Sequence, residues 1–222
     1  MPSVPCNFDR TFEFAGPNTA LLAIDMQRDF VEDGGYCAAA GDDVSAMQAI
    51  VPRFAGVLAA ARAAGVRIIH TREGYQPDGS DLTALKRERN SAGTRGPLGR
   101  FLVRGEPGQD TIAELYPESG ETVIDKPGFS AFHRTDLESV LSMAGITHLI
   151  VMGVTTQCCV NSTLRGAVDR GFWCLTVEDC CAAVDPELHA AAITTIYGEN
   201  HLFGWVSQSD KLTSSLGIKE LQ

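Results

Sequence analysis

Short, continuous apolar runs recur along the chain, and most of them are rich in leucine, isoleucine and valine. Runs of this length and composition predict strands that are buried on both faces of a sheet. Between the runs, apolar residues recur at helical spacing, as in the stretch that begins at Asp43 and ends before Gly65. The sequence therefore predicts strands over residues 19–24, 66–70, 121–125, 148–153, 173–177 and 203–207, with helices between most of them.

Strands that alternate with helices are typical of a parallel sheet whose two faces are covered by helices. We therefore expect an α/β fold of three layers, α/β/α, around a six-stranded, mostly parallel sheet. The 222 residues are enough for one domain with a full core. Residues 19–222 are predicted to form that domain, after an irregular N-terminal arm over residues 1–18. The connection over residues 71–109 is long for a compact domain, and its charges and glycines indicate a lid or a partner contact.

Charge and composition limit the partners that the chain can have. The formal net charge is -10, and no basic stripe is present that could neutralise phosphates, which excludes nucleic acid and anionic membrane surfaces. The sequence contains no apolar run of bilayer-spanning length, and its first residues lack the pattern of a signal peptide. We expect a cytoplasmic protein that acts on a small molecule. The seven cysteines show no CxxC spacing and are predicted to be free thiols.

Three reactive side chains follow predicted strands: Asp25, Lys126 and Cys159. The carboxyl ends of parallel strands meet at one edge of the sheet, which is where open α/β sheets bind ligands. A cysteine at the start of a helix faces unpaired N–H groups, which lower the pKa of a thiol and can hold the negative oxygen of a tetrahedral intermediate. A carboxylate can serve the thiol as general base, and an ammonium group stabilises both anions. The set therefore predicts hydrolysis through a thioester-type acyl-enzyme, which suits amide bonds that release ammonia.

Each candidate also has a purely structural interpretation. A buried cysteine often only packs, a strand-end aspartate often caps a turn, and Lys126 before Pro-Gly could be a solvated turn residue. From residue types alone, Cys158 is as good a nucleophile as Cys159. His70 ends a predicted strand, but no other histidines stand around it at ligand spacing, so we interpret it as a core or supporting histidine. We expect no metal and no other cofactor.

Five segments together carry a specific similarity to a known family. They are LLAIDMQRDF at 21–30, VRIIHTRE at 66–73, VIDKPGFSAFHRTDL at 123–137, GVTTQCCVNST at 153–163 and VEDCCAA at 177–183. From about residue 19 to residue 207 the chain resembles the isochorismatase-like cysteine hydrolases. The resemblance implies a catalytic triad of Asp25, Lys126 and Cys159, with Cys159 rather than Cys158 as the nucleophile. It also implies a cis peptide bond between Val154 and Thr155, which would turn the amides of Thr155 and Cys159 towards one point as an oxyanion hole.

The resemblance also has consequences for ligands. Metal-binding members carry an aspartate and histidines after the first strand, whereas DFVEDGGYC at 29–37 has no histidine, so no metal site is expected. Phe30 and Phe129 occupy family positions near the thiol and are expected to form walls of the substrate pocket. We also expect a homo-oligomer, with a tetramer as the expected size.

The substrate predicted from the resemblance is a small ureide. FGWVS at 203–207 is similar to ureidoacrylate amidohydrolases, whereas HTREG at 70–74, GRFLVRGEPGQD at 99–110 and LYPESGETVIDKPG at 115–128 resemble biuret hydrolase and its triuret-cleaving relatives. Glu199 stands where biuret hydrolase has a glutamine, and a carboxylate accepts hydrogen bonds but donates none. We therefore expect Glu199 to bind N–H groups of the substrate, with triuret favoured over biuret.

Three alternatives remain open at the level of sequence. The first is a ureidoacrylate or N-carbamoyl amide amidohydrolase, or an isochorismate-type vinyl-ether hydrolase, which Cys159 disfavours. The second is a catalytically inactive family member that serves as a binding module, which the intact set of Asp25, Lys126 and Cys159 disfavours. The third is a redox protein that uses Cys158 and Cys159, although adjacent cysteines form a strained disulfide.

Overall fold

The structure, a computed structural model, describes residues 2–89 and 91–217, so Met1 of the predicted arm and residues 218–222 of the predicted domain lie outside the described residues. The strands are β1 (Ser3–Pro5), β2 (Thr11–Glu13), β3 (Thr19–Ile24), β4 (Arg67–Glu73), β5 (Arg95–Gly96), β6 (Gly99–Arg100), β7 (Thr122–Lys126), β8 (His148–Val154), β9 (Trp173–Ala182) and β10 (Trp205–Ser207). The helices are α1 (Arg28–Val31), α2 (Tyr36–Ala40), α3 (Ser45–Ala49), α4 (Val51–Ala63), α5 (Ala84–Arg89), α6 (Leu137–Met143), α7 (Asn161–Val168), α8 (Pro186–His201) and α9 (Ser209–Ser215). A π turn over Thr156–Val160 runs directly into α7.

The central sheet has six strands in the order β10-β9-β8-β3-β4-β7. Every neighbouring pair in this order is parallel. All residues of β3 are buried, as expected for a strand in the middle of a sheet that is covered on both faces. Helices α4 and α9 pack on each other and on the sheet, and α7 and α8 pack against β9. The predicted three-layer α/β/α architecture is confirmed, with the sheet entirely parallel.

The N-terminal segment is not the irregular arm that the sequence predicts. Strands β1 and β2 form an antiparallel hairpin, in which Val4 faces Phe12. Both side chains are buried in the main core. The Ser207 hydroxyl donates to the Pro5 carbonyl, which ties the hairpin to the end of β10. Strands of only three residues are too short to show a recognisable alternation, so the sequence pattern missed them.

Two boundaries in the sheet also differ from the prediction in ways that affect the site. Strand β4 continues past His70 to Glu73, and β9 continues past Val177 to Ala182. Both extensions contain polar and charged residues, which ended the apolar runs on which the prediction relied. The first extension places Glu73 at the carboxyl edge of the sheet.

The long connection after β4 has structure of its own. It contains α5 and the short β5–β6 pair, and it forms a second apolar cluster around Tyr75, Phe101 and Leu102. The Phe101 ring stacks on Tyr36 with 4.0 Å between ring centroids, and Phe30 also packs on this cluster. The connection is therefore a small packed unit beside the carboxyl edge of the sheet.

The structure also bears on two expectations from composition. All seven cysteines are free thiols, as predicted. Across residues 2–89 and 91–217, no helix combines the length and the apolar character that crossing a membrane would require.

His70 lies in a buried polar network between β4 and the start of β7. Its Nε2 is 2.9 Å from Oε2 of Glu121, and Arg62 donates to both oxygens of the same carboxylate at 2.8 and 3.0 Å. Burial lowers the pKa of His70, so that it binds Glu121 as a neutral imidazole near neutral pH. Burial raises the pKa of Glu121, but hydrogen bonds from Arg62, the Glu118 amide and His70 outweigh it and lower the pKa to about 2. These contacts explain the buried His70 without a metal ion.

The Glu121 network makes stability depend on pH. Because the pKa of Glu121 is depressed in the folded state, its stabilising effect is present above the ordinary carboxyl pKa and is lost as the pH falls towards about 2. The lowered pKa of His70 acts in the same direction, starting below about pH 6.5. Glu121→Gln is therefore expected to reduce the free energy of unfolding by on the order of 2 kcal/mol near neutral pH and by much less in acid. Urea unfolding at neutral and acidic pH measures this, and an equal loss at both would contradict it.

Candidate active site

Four charged or nucleophilic side chains meet at the carboxyl edge of the sheet. Asp25 follows β3, Glu73 and Lys126 end β4 and β7, and Cys159 lies in the π turn after β8. All four are buried, with Asp25 and Lys126 fully inaccessible. Lys126 Nζ lies 2.7 Å from Oδ2 of Asp25 and 3.9 Å from Oε2 of Glu73. The Sγ of Cys159 donates to the same Oε2 of Glu73 at 3.5 Å.

The backbone after β3 is shaped to hold Asp25 in this place. Its φ of 51° lies in the left-handed region, which aspartate tolerates better than most residues. Its amide donates to the Thr71 carbonyl, and the Thr71 hydroxyl donates to Oδ1 at 2.6 Å. The carboxylate is therefore fixed by β4 on one side and by Lys126 on the other.

The turn that carries Cys159 depends on a close contact between β8 and β3. Gly153 has a φ of 137°, and a Cβ on it would lie 2.1 Å from the carbonyl oxygen of Ile24. Only glycine permits this approach, which brings the end of β8 beside Asp25. The Val154–Thr155 peptide bond is cis, as the family resemblance implies. The Thr155 carbonyl then accepts hydrogen bonds from the amides of Cys158 and Val160.

A cavity of about 140 Å³ opens over the thiol. It brings together four of the residues predicted from sequence, namely Phe30, Phe129, Thr155 and Cys159. Glu73 is the charged residue in its lining, whereas Asp25 and Lys126 do not line the cavity. The residues that line it are Phe30, Glu73, Phe101, Leu102, Phe129, Thr155, Cys158 and Cys159.

Glu199 is not among the residues that line this cavity. It is exposed, and it sits where the helical dihedral angles of α8 are interrupted at Gly198, Glu199 and Asn200. The Arg10 guanidinium, from the N-terminal segment, donates a hydrogen bond to Oδ1 of Asn200 at 2.6 Å. The expected contact between Glu199 and a substrate at Cys159 stays a prediction.

The surroundings shift the pKa values of the cluster in different directions. Contact with Cys158 and burial raise the pKa of Cys159, against the effect of Lys126. This differs from the lowered value expected at a helix start, because the contact with Cys158, burial and the two neighbouring carboxylates together outweigh the effect of Lys126. Burial also raises the pKa of Asp25, whereas for Glu73 burial is outweighed by the ammonium groups of Lys126 and Lys86, so its pKa is lowered. A reaction at the Cys159 sulfur would therefore start from a thiol and would need a proton acceptor.

The cluster could be mistaken for a metal site. Donor atoms of Asp25, Glu73 and Cys159 lie within 4.8 Å of one another, a spacing that would suit a metal ion. The Lys126 ammonium, however, already provides a cation in contact with Asp25 and near Glu73. Burial lowers the pKa of Lys126, but attraction to Asp25 outweighs burial and raises it. The Lys126 ammonium is therefore a positive charge that these two carboxylates already share.

Glu73 is the member of this cluster that the sequence interpretation missed. The predicted strand ends at His70, which places Glu73 in the long connection. The available signal was its register, because Glu73 pairs with Lys126 across β4 and β7. A buried thiol with carboxylate and ammonium neighbours under a small cavity fits a hydrolase that uses a cysteine nucleophile.

Comparison with known proteins agrees with this class. The isochorismatase domain model matches residues 19–211. The ureidoacrylate amidohydrolase RutB of Pantoea ananatis is 33% identical over 217 residues, which cover 94% of this chain and 86% of the relative. RutB of Enterobacter sp. is 36% identical over 205 residues, 87% of each chain. A crystal structure of a cysteine hydrolase from Pseudomonas syringae superimposes with a TM-score of 0.82 at 28% identity over 98% of both chains. The chain belongs to the isochorismatase family.

Proposed function

We propose that this protein is a cysteine-dependent amidohydrolase whose substrate is ureidoacrylate or a closely similar ureido acid. The observation that carries the proposal is the buried Cys159 thiol under a small cavity, with Asp25, Glu73 and Lys126 around it. Similarity to ureidoacrylate amidohydrolases over most of both chains supports the substrate class. Ureidoacrylate is the alternative substrate that the sequence leaves open, and similarity to these relatives supports it over biuret and triuret.

The geometry supports a two-step hydrolysis. The Cys159 sulfur attacks the ureido carbonyl carbon while a carboxylate, Asp25 in the sequence-based prediction, accepts the thiol proton. The amides of Thr155 and Cys159 are proposed to hold the negative oxygen, and Lys126 offsets the charge of the carboxylates. The leaving nitrogen takes the proton and departs, and water then hydrolyses the thioester.

Lys86 provides a reason to prefer an anionic ureido acid over a neutral ureide. Its ammonium lies 3.1 Å from Oε1 of Glu73 and 4.0 Å from the centroid of the Phe129 ring. Both partners line the cavity, and Lys86 itself lies just outside that lining. A carboxylate at the far end of the substrate would find a positive partner there, whereas biuret and triuret carry no anion to use it. Glu199, the residue expected to favour triuret, does not line the cavity either, and the case for Lys86 rests on its contacts with Glu73 and Phe129.

Ammonia release from a substrate panel tests the proposal. We expect the highest kcat/KM for ureidoacrylate among ureidoacrylate, biuret, triuret, N-carbamoylsarcosine and nicotinamide. Lys86→Met should raise KM for ureidoacrylate by roughly tenfold, the effect of one lost charge-assisted hydrogen bond, and leave KM for the neutral ureides nearly unchanged. Arg87→Met is the matched control, because that guanidinium donates to the Gly79 carbonyl in the same connection. Faster hydrolysis of triuret or biuret would favour the neutral-ureide alternative, and no hydrolysis at all would favour the inactive binding module.

Prolonged dialysis against a chelator is expected to leave this activity unchanged. A cysteine nucleophile does not need a metal-bound hydroxide, and Lys126 already supplies positive charge beside the two carboxylates. Ammonia release is measured before dialysis, after dialysis and after addition of zinc or manganese. A loss that either metal restores would show that Asp25, Glu73 and Cys159 hold an ion.

The homo-oligomer, its tetrameric size and the cytoplasmic location remain predictions from the sequence.

A further inference from the structure

A side-chain hydrogen bond links the turn that carries the nucleophile to helix α8. Oγ1 of Thr156 lies 2.8 Å from Nδ1 of His189. Thr156 is fully buried and begins the π turn, and Cys159 follows three positions later in the same turn. Within the described part of the chain, His189 is the hydrogen-bond partner of this buried hydroxyl. The contact therefore joins the segment that carries the thiol to a separate helix.

The hydrogen bonds inside the π turn fix its shape but not its place. The Thr155 carbonyl accepts from the Cys158 amide at 3.1 Å and from the Val160 amide at 3.3 Å. All of these groups belong to the segment that carries Cys159, so they move with it. Turns of this kind are rare and concentrate at functional sites. The hydrogen bond to α8 adds a fixed point outside the turn.

His189 is itself held in place by the first turn of α8. Asp185 caps this helix, since its Oδ1 accepts from the Glu187 amide at 2.8 Å. The Asp185 carbonyl accepts from the His189 amide at 3.1 Å. Further along α8, Ile193 and Ile196 are buried in the main core. The imidazole is therefore presented by a helix whose own position is fixed.

The His189 ring adds no charge to the site near neutral pH. Burial lowers its pKa, against the attraction of Glu178 on β9, so the imidazole is neutral there. The Glu178 carboxylate in turn accepts a hydrogen bond from Gln208. An effect of His189 on a reaction at the thiol is therefore expected to act through geometry rather than through charge.

We propose that His189 is a positioning residue, which holds the Thr156 hydroxyl and so keeps the π turn where the amides of Thr155 and Cys159 can bind the negative oxygen. The inference rests on the cysteine-hydrolase function proposed above and adds a residue to its site. Donors to that oxygen act in the transition state, so their displacement lowers kcat more than it raises KM.

Two substitutions of His189 test its role. His189→Leu removes the polar atom and keeps an apolar side chain in its place, whereas the amide of His189→Asn puts a polar atom where Nδ1 stands. We expect kcat for ammonia release to fall roughly 10–100-fold in the leucine variant, the effect of a small misplacement, with KM within about twofold of wild type. The asparagine variant should recover most of the lost activity.

Thr156→Val provides a second approach, because valine keeps the shape of threonine and lacks the hydroxyl. Its kcat should fall as in His189→Leu, and the double variant should be no worse than either single one, since both remove the same contact. Thr147→Val and His148→Leu are the matched controls. Their Oγ1 and Nδ1 atoms also lie 2.8 Å apart, but at the start of β8, the end away from the turn, so kcat should not change. Urea unfolding establishes that each variant is folded under assay conditions.

A second measurement follows the turn without any substrate. Backbone amide hydrogen exchange over residues 155–163 is measured by mass spectrometry, with the β1–β2 hairpin as an internal reference. Loss of the tether should speed exchange in the turn by roughly tenfold in His189→Leu, the effect of one net hydrogen bond, and leave the hairpin unchanged. In His189→Asn the exchange should return towards the wild-type rate.

Unchanged kcat in folded His189→Leu, an equal loss in His148→Leu, no recovery in His189→Asn, or a double variant that multiplies the two single losses would each overturn the proposal. Failure of the proposed function looks different, because wild-type protein would then release no ammonia from any ureide. Hydrogen exchange still decides in that case. Faster exchange of the turn in His189→Leu would support the tether, and an unchanged rate would refute it.

Discussion

Cys159→Ser is expected to abolish ureide hydrolysis, with a loss in kcat on the order of 10⁴-fold or more, as for other removed nucleophiles. Serine keeps the volume and the backbone of the π turn, but its hydroxyl is a far weaker nucleophile beside the same carboxylates. Cys158→Ser should keep most of the activity, because Cys158 lines the cavity wall whereas Cys159 carries the contact with Glu73.

Ammonia release by the two variants, with substrate binding measured by calorimetry, distinguishes the two cysteines. The Cys159→Ser protein should still bind substrate. An active Cys159→Ser protein together with an inactive Cys158→Ser protein would reverse the assignment of the nucleophile.

Lys126→Met is expected to remove activity and to destabilise the fold by about 3–5 kcal/mol, the usual effect of removing one partner of a buried charge pair. Lys126 is fully buried, and its ammonium contacts Asp25, approaches Glu73 and donates to the Gly128 carbonyl at 2.8 Å. Without it, two carboxyl groups face each other in the core with no cation between them. Urea unfolding near neutral pH measures the loss.

A combined variant provides the control for this prediction. Asp25→Asn and Glu73→Gln added to Lys126→Met remove the uncompensated charges, so much of the lost stability should return while activity stays absent. If the combined variant is no more stable than Lys126→Met alone, the loss comes from packing around the lysine stem rather than from charge.

The sheet and most of the site were predictable because they depend on features that are local in sequence. Apolar runs located the six central strands, and the residues that follow them, Asp25, Lys126 and Cys159, share one edge by the geometry of parallel strands. The cis peptide and the choice of Cys159 came from resemblance to a family, which periodicity could not supply.

The missed features depend on contacts between distant segments. The sequence pattern does not place Glu73 in the site, because the last residues of β4 are polar. Only their pairing with β7 shows that the strand continues. The hairpin over Ser3–Glu13 is stabilised by burial of Val4 and Phe12 in the main core. The short sequence of the hairpin alone does not predict this burial. The position of Glu199 depends on non-helical backbone dihedral angles near the end of α8, which the helical spacing of apolar residues does not reveal.

The separate apolar cluster of the long connection has a consequence for how the protein opens. Tyr75, Phe101 and Leu102 form a small cluster apart from the main core, and two of them also line the cavity over the thiol. Cooperative units of this size can exchange their amide hydrogens by local opening, without unfolding of the sheet. Local opening of this cluster would admit solvent to the cavity without unfolding the domain. We therefore expect a substitution at Phe101 to change the solvent exposure of the thiol while the parallel sheet stays folded.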